Sequence, residues 1–108
     1  MITELPNVTE GNLKLVPEEM RAYWKEKPVK LTHTMFLLLY DLAKNPERLR
    51  TRERLLNYAW GTEIFVEERT VDSMVKRLRQ RFKAVDEAFD QIETTYKVGY
   101  RWKKETTQ

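Results

Sequence analysis

Among its 108 residues the sequence has no cysteine and a single histidine, His33. Disulfides and thiolate metal sites are thereby excluded, and a reducing compartment, the cytoplasm, is the expected setting. Glycine is scarce: only Gly11, Gly61 and Gly99 occur, so no glycine-rich phosphate loop can be built. No apolar run approaches the roughly 20 residues of a membrane-spanning helix, and the mean hydropathy is −0.70. The opening residues, 1–6, carry neither the basic stretch nor the apolar run of a secretory signal. Catalytic groups are scarce too. His33 lies at an expected helix start, where imidazoles are usually solvated. No serine is placed with a plausible base, and the paired carboxylates Glu18–Glu19 and Glu67–Glu68 are adjacent and diverge. No calcium-type loop is present. The chain is therefore expected to be neither an enzyme nor a holder of metal or cofactor.

What is present suffices for one core: 41% of residues are hydrophobic and 11% aromatic. No repeat, low-complexity tract or flexible linker divides the chain. One domain over residues 8–104 is expected, with a lead-in at 1–7 and a tail at 105–108. Leu13 and Leu15 alternate with polar neighbours, Pro17–Glu19 reads as a turn, and residues 21–24 and 29–31 read as further strands with Lys27–Pro28 breaking between them. Thr32 can cap a helix running to about Lys44, with Met35, Leu38, Leu39 and Leu42 on its apolar face. Asn45–Pro46 ends it, and Leu49–Arg50 reads as a short extended link. Thr51 can cap a second helix that buries Leu55, Leu56 and Ala59 and stops at Gly61. The loop 61–68 carries the apolar pair Ile64–Phe65. A third helix begins near Arg69, and two strands close the chain at 92–95 and 100–102, with Lys97–Gly99 as their turn and Gly99 supplying its permissive dihedrals.

The net charge of +3 and pI near 9.2 say little alone, but the charge is unevenly placed. Residues 69–83 hold Arg69, Lys76, Arg77, Arg79, Arg81 and Lys83 against one acid, Asp72. At 100° per residue, Val71, Val75, Leu78, Phe82 and Val85 form one stripe, and Arg69, Ser73, Lys76, Arg77 and Gln80 fall opposite. Such a face is either simply solvated or turned toward a polyanion. The shortage of acids favours the polyanion. An arginine at the middle of such a helix can pair with guanine O6 and N7. A hairpin beside it could probe an adjacent minor groove. Trp24, Trp60 and Trp102 read as core residues, with the Trp60 indole also able to donate to a phosphate.

Residues 45–61 resemble the second-helix segment of OmpR/PhoB-type response regulators, residues 66–79 resemble their recognition helix, and residues 98–102 their closing wing strand. The resemblance runs from about Val8 to Lys103; residues 85–94 are further similar to ChvI-like regulators of alphaproteobacteria. It implies an α+β winged helix-turn-helix with a four-stranded antiparallel sheet, three helices and a hairpin wing. It implies base contacts from Thr70, Ser73, Met74 and Arg77, and backbone contacts from Arg52, Trp60, Arg69, Lys76, Arg79, Gln80, Arg81 and Lys97. The loop with Glu63, Ile64 and Phe65 matches a segment that contacts RNA polymerase. Many relatives carry Arg-Gly where Tyr96 and Lys97 stand here, so the wing's minor-groove role is left open, with Lys97 as a phosphate contact and Tyr96 packing instead. Met74 replaces a common histidine.

The expected function is sequence-specific binding to double-stranded DNA as the effector domain of a two-component regulator. The domain would be monomeric alone and a tandem dimer on direct-repeat half-sites, with RNA polymerase as partner. These residues hold no acidic phosphoacceptor pocket of the receiver domain such regulators carry, so the chain is expected to be either a fragment of a longer protein, the favoured reading, or a stand-alone factor. The alternative is a winged helix serving protein interaction, against which the acid-poor third helix argues.

Overall fold

The computed structural model describes residues 5–62 and 65–105. Strands β1 (Val8–Glu10), β2 (Leu13–Val16), β3 (Arg21–Trp24) and β4 (Lys27–Val29) form an antiparallel sheet in sequential order. Alternation sets its register. Leu13 lies opposite Trp24, Leu15 opposite Ala22, and Ala22 opposite Val29, and all five are buried on one face. The expected break at Lys27–Pro28 is corrected: the turn is Lys25–Glu26, both with left-handed φ (53° and 69°), and Pro28 sits inside β4 opposite Tyr23. Because β4 is an edge strand, a residue without an N–H is tolerated there.

Helix α1 (His33–Ala43) starts where the Thr32 hydroxyl accepts the Met35 amide at 3.2 Å. The expected four apolar residues are buried, but so are Phe36, Tyr40, Asp41 and Ala43. The helix is central, touching β1, β7, α2 (Arg52–Trp60) and α3 (Arg69–Lys83). Asp41 survives burial because Arg50 grips both its oxygens, at 3.0 and 3.1 Å. Thr51 caps α2 by accepting the Arg54 amide, and Gly61 ends it at φ 89°. Val71, Val75, Leu78 and Phe82 fasten α3 to the core. The link at Leu49–Arg50 does more than connect: β5 (Arg50–Thr51) pairs with β7 (Gly99–Trp102), which pairs with β6 (Ile92–Thr95) in a second sheet of order β5-β7-β6.

Aromatic rings join α3 to both sheets. Phe82 stacks on Phe89 with centroids 4.4 Å apart, and Trp24 meets Phe89 edge-on at 5.1 Å. The Trp24 indole donates to Asp86 at 2.8 Å, and Lys25 approaches the same carboxylate at 3.1 Å. The indole first, then the Lys25 ammonium and the Ala88 amide, hold that carboxyl at about 2 against an ordinary 3.8. Its stabilisation is complete above 3.8 and drains away as pH falls through about 2. Asp86→Asn is expected to melt below the parent protein at neutral pH, with the gap closing across that acid window in thermal scans. A gap unchanged across the window would refute this role. Among the described residues no helix is long and apolar enough to cross a membrane.

Candidate nucleic-acid interface

With its apolar stripe turned inward, α3 presents the opposite side to solvent. Arg69, Ser73, Lys76, Arg77 and Gln80 are exposed, and Thr70 and Met74 are half-buried. Thr70, Ser73, Met74 and Arg77 recur at i, i+3, i+4 and i+7, so they share one stripe. Together with Arg69 they line a single shallow depression. Among the described residues, the side chains of Lys76, Arg77, Ser73 and Gln80 take part in none of the intramolecular hydrogen bonds or ion pairs. Arg69 alone on this surface is paired, with exposed Glu67 at 2.7 Å. A surface pair of this kind exchanges readily for another anion.

Other expected backbone contacts are already occupied within the molecule. Arg79 donates to the Ile92 carbonyl at 2.7 Å and the Thr94 hydroxyl at 2.8 Å, fastening α3 to the wing. Arg81 donates to the Lys30 carbonyl at 2.7 Å, on the side of α3 that meets the first sheet. Arg52 pairs with Asp72 at 2.7 Å. These side chains are long, and helical spacing alone does not tell where their ends go. Trp60 is half-buried against the core at the end of α2. Glu63 and Ile64 lie outside the described residues, and Phe65 beside them is 95% exposed.

The wing differs from expectation in its turn. Gly99 does not supply the left-handed residue; Lys97 does, at φ 63°, within the turn Tyr96–Val98. Gly99 is already in β7, opposite Thr95 and Thr51. It must be glycine for another reason: a Cβ there would fall 2.0 Å from the Arg50 carbonyl oxygen. Tyr96 is 80% exposed at the tip, with the Lys97 ammonium 5.4 Å from its ring centre. A cleft between wing and helices is lined by Arg52, Asp72, Thr95, Lys97 and Tyr100, among others. There the Tyr100 hydroxyl donates to Asp72 at 2.6 Å. Burial, reinforced by that carboxylate, pushes the Tyr100 hydroxyl up to about 12, so it remains a donor at neutral pH. Sequence reasoning placed Asp72 and Tyr100 but gave neither a role in the site. The signal was available: Asp72 is the one acid in an otherwise basic helix.

Three packed helices, the third of them basic and flanked by a two-stranded wing, define the winged-helix class of domains. Residues 26–102 match the family model described as "Transcriptional regulatory protein, C terminal". Over 92 residues the chain is 39% identical to the phosphate regulon transcriptional regulatory protein PhoB of Escherichia coli (strain K12), covering 83% of this chain and 39% of that protein. Heme response regulator HssR of Staphylococcus aureus (strain Newman) is 37% identical over 94 residues, covering 87% of this chain and 42% of that one. The chain thus spans less than half the length of these relatives. The response regulator DrrB of Thermotoga maritima, an OmpR/PhoB homolog, superposes with a TM-score of 0.75 at 31% identity, over 90% of this chain and 44% of that chain. The AdeR DNA-binding domain, solved with an intercistronic region, gives 0.78 at 25% identity, over 92% of this chain and 100% of that one. The chain belongs to the OmpR/PhoB-type family of transcriptional regulatory C-terminal domains. It is a DNA-binding transcription module and not an enzyme.

Proposed function

We propose that this domain reads duplex DNA with α3 in the major groove and the wing at the adjacent minor groove or its flanking backbone. The carrying observation is the α3 surface, where Thr70, Ser73, Met74 and Arg77 form one stripe and the neighbouring cations Lys76 and Arg77 have no internal partner among the described residues. The stripe meets base edges. Arg69, Lys76 and Gln80, with Lys97 on the wing and the Trp60 indole, meet phosphates. The whole protein is a two-component response regulator acting in the cytoplasm, its receiver domain lying outside this chain. Copies bind head to tail on direct repeats, one α3 per half-site. The loop with Glu63, Ile64 and Phe65 docks on RNA polymerase, a reading supported by the full exposure of Phe65.

The test is a salt titration on two duplexes, one selected from a random pool and one scrambled. Each phosphate cation releases counterions, so log K falls steeply with log salt. Lys76→Ala is expected to weaken both duplexes alike and to reduce the magnitude of the slope by about 1. Binding by the parent protein that ignores salt would overturn the reading.

A further inference from the structure

Three faces of α3 have distinct uses. One packs on the core and one carries the exposed stripe. The third bears Asp72 and Arg79, seven residues apart and so nearly in line, two turns along the helix. Asp72 takes the Arg52 guanidinium of α2 on one oxygen at 2.7 Å and the Tyr100 hydroxyl of β7 on the other at 2.6 Å. Arg79 reaches β6 at Ile92 and Thr94. One carboxylate therefore ties together the second helix, the third helix and the wing, and an arginine two turns on ties helix to wing again.

The exposure of these groups separates orientation from stability. The Arg52 and Asp72 side chains are 25% and 43% exposed, and ion pairs so open to water add little to folding. An acid beside a phosphate-binding surface also opposes binding by repulsion. Neither consideration accounts for a carboxylate here. A fixed angle between two DNA probes does, because a probe held in place loses less freedom on binding.

Resting on the DNA-binding reading above, we infer that Asp72 is a positioning residue: with Arg52, Tyr100 and Arg79 it braces the wing against the recognition helix so that both engage one duplex together. Arg52 then belongs to the brace and not to the phosphate contacts.

The test is a double-mutant cycle on the selected duplex. Lys97→Ala removes a wing contact, Asp72→Asn cuts the ion pair of the brace, and the double variant combines them. Lys97→Ala is expected to weaken the parent protein measurably and the Asp72→Asn variant hardly at all, a coupling of about fivefold. Melting temperatures of the variants, read alongside, should stay close to the parent's. Tyr100→Phe cuts the brace from the wing side and is expected to give the same loss of coupling should Asp72→Asn fold poorly. Effects that simply multiply, in a parent protein that binds the duplex, overturn the brace alone. So does a Lys97→Ala change without effect, since a wing that contributes nothing needs no holding. A parent protein that binds no duplex overturns the DNA reading and the brace with it.

Discussion

Arg77→Ala should erase most of the difference between a specific and a scrambled duplex while leaving the fold intact. Arg77 is exposed, lies seven residues after Thr70 on the same stripe as Ser73 and Met74, and belongs to the shallow depression they form. Its guanidinium makes no internal bond among the described residues, so removing it leaves no buried group unsatisfied. Surface changes of that kind usually stay within about 0.5 kcal/mol of the parent's stability. A well-placed bidentate arginine discriminates its guanine from other bases by about 1–3 kcal/mol, and about 1.4 kcal/mol corresponds to tenfold in affinity. The ratio of dissociation constants for scrambled and selected duplexes should therefore fall by roughly one order of magnitude per half-site. Arg77→Lys separates charge from geometry. It keeps the cation but loses the planar fork, so it should hold the scrambled duplex normally and still lose discrimination. A ratio left intact by Arg77→Ala would remove this residue from base recognition.

The largest loss of stability is expected from Gly99→Ala. The added Cβ would lie 2.0 Å from the Arg50 carbonyl oxygen and 2.9 Å from the Arg50 carbonyl carbon and Thr51 Cα. All three are backbone, so no side-chain rotation can make room. Relief requires pulling β5 from β7, which breaks the Arg50–Tyr100 and Thr51–Gly99 pairing. It would also disturb Arg50, whose guanidinium neutralises buried Asp41. Overpacking a tight site costs about 1–3 kcal/mol, and the loss of strand pairing carries this case to the upper end. For a domain of this size each kcal/mol moves the midpoint by about 4–8 °C, so a fall of more than about 10 °C is expected in a thermal melt. Gly11→Ala is the control. Gly11 sits at φ 58°, but the atoms an added Cβ would meet belong to the Glu105 side chain, which can turn away. Its cost should be that of the left-handed backbone, about 1–2 kcal/mol, together with the loss of the exposed hydrogen bonds that Asn12 donates to the Glu105 carboxylate. Equal losses from the two substitutions would show that close approach to β5 is not what demands glycine at position 99.

Much of this architecture could be read from the amino acids because burial imposes a period. Val71, Val75, Leu78 and Phe82 repeat at helical spacing and anchor α3 as expected. Leu13 and Leu15 alternate and point inward. Thr32 and Thr51 stand where first turns leave amides unpaired, and each caps its helix. The misreadings arose where one residue type answers to two physical causes. Gly99 resembled a turn residue, yet its missing side chain accommodates a neighbouring strand. Pro28 resembled a breaker, yet an edge strand accepts it. A different matter is Arg52, Arg79 and Arg81, expected at phosphates: without DNA their guanidinium groups rest on Asp72, on the wing and on the Lys30 carbonyl, partners that spacing along a helix does not show. Periodicity assigns a side chain to a face; which partner a long one reaches depends on segments far away in the chain.

Strand β5 is only two residues long, yet it makes the connection between α1 and α2 part of the same sheet as the wing. The Arg52 amide extends the joint by donating to the Val98 carbonyl at 3.2 Å. Helix-turn-helix and hairpin are consequently two prongs of one stiff fork. A fork with a set gauge has little give when a target is spaced slightly wide or narrow, so the misfit passes to the double helix. Bending and groove compression have energies that depend on base steps the protein never touches, and sites would then be ranked partly by their pliancy.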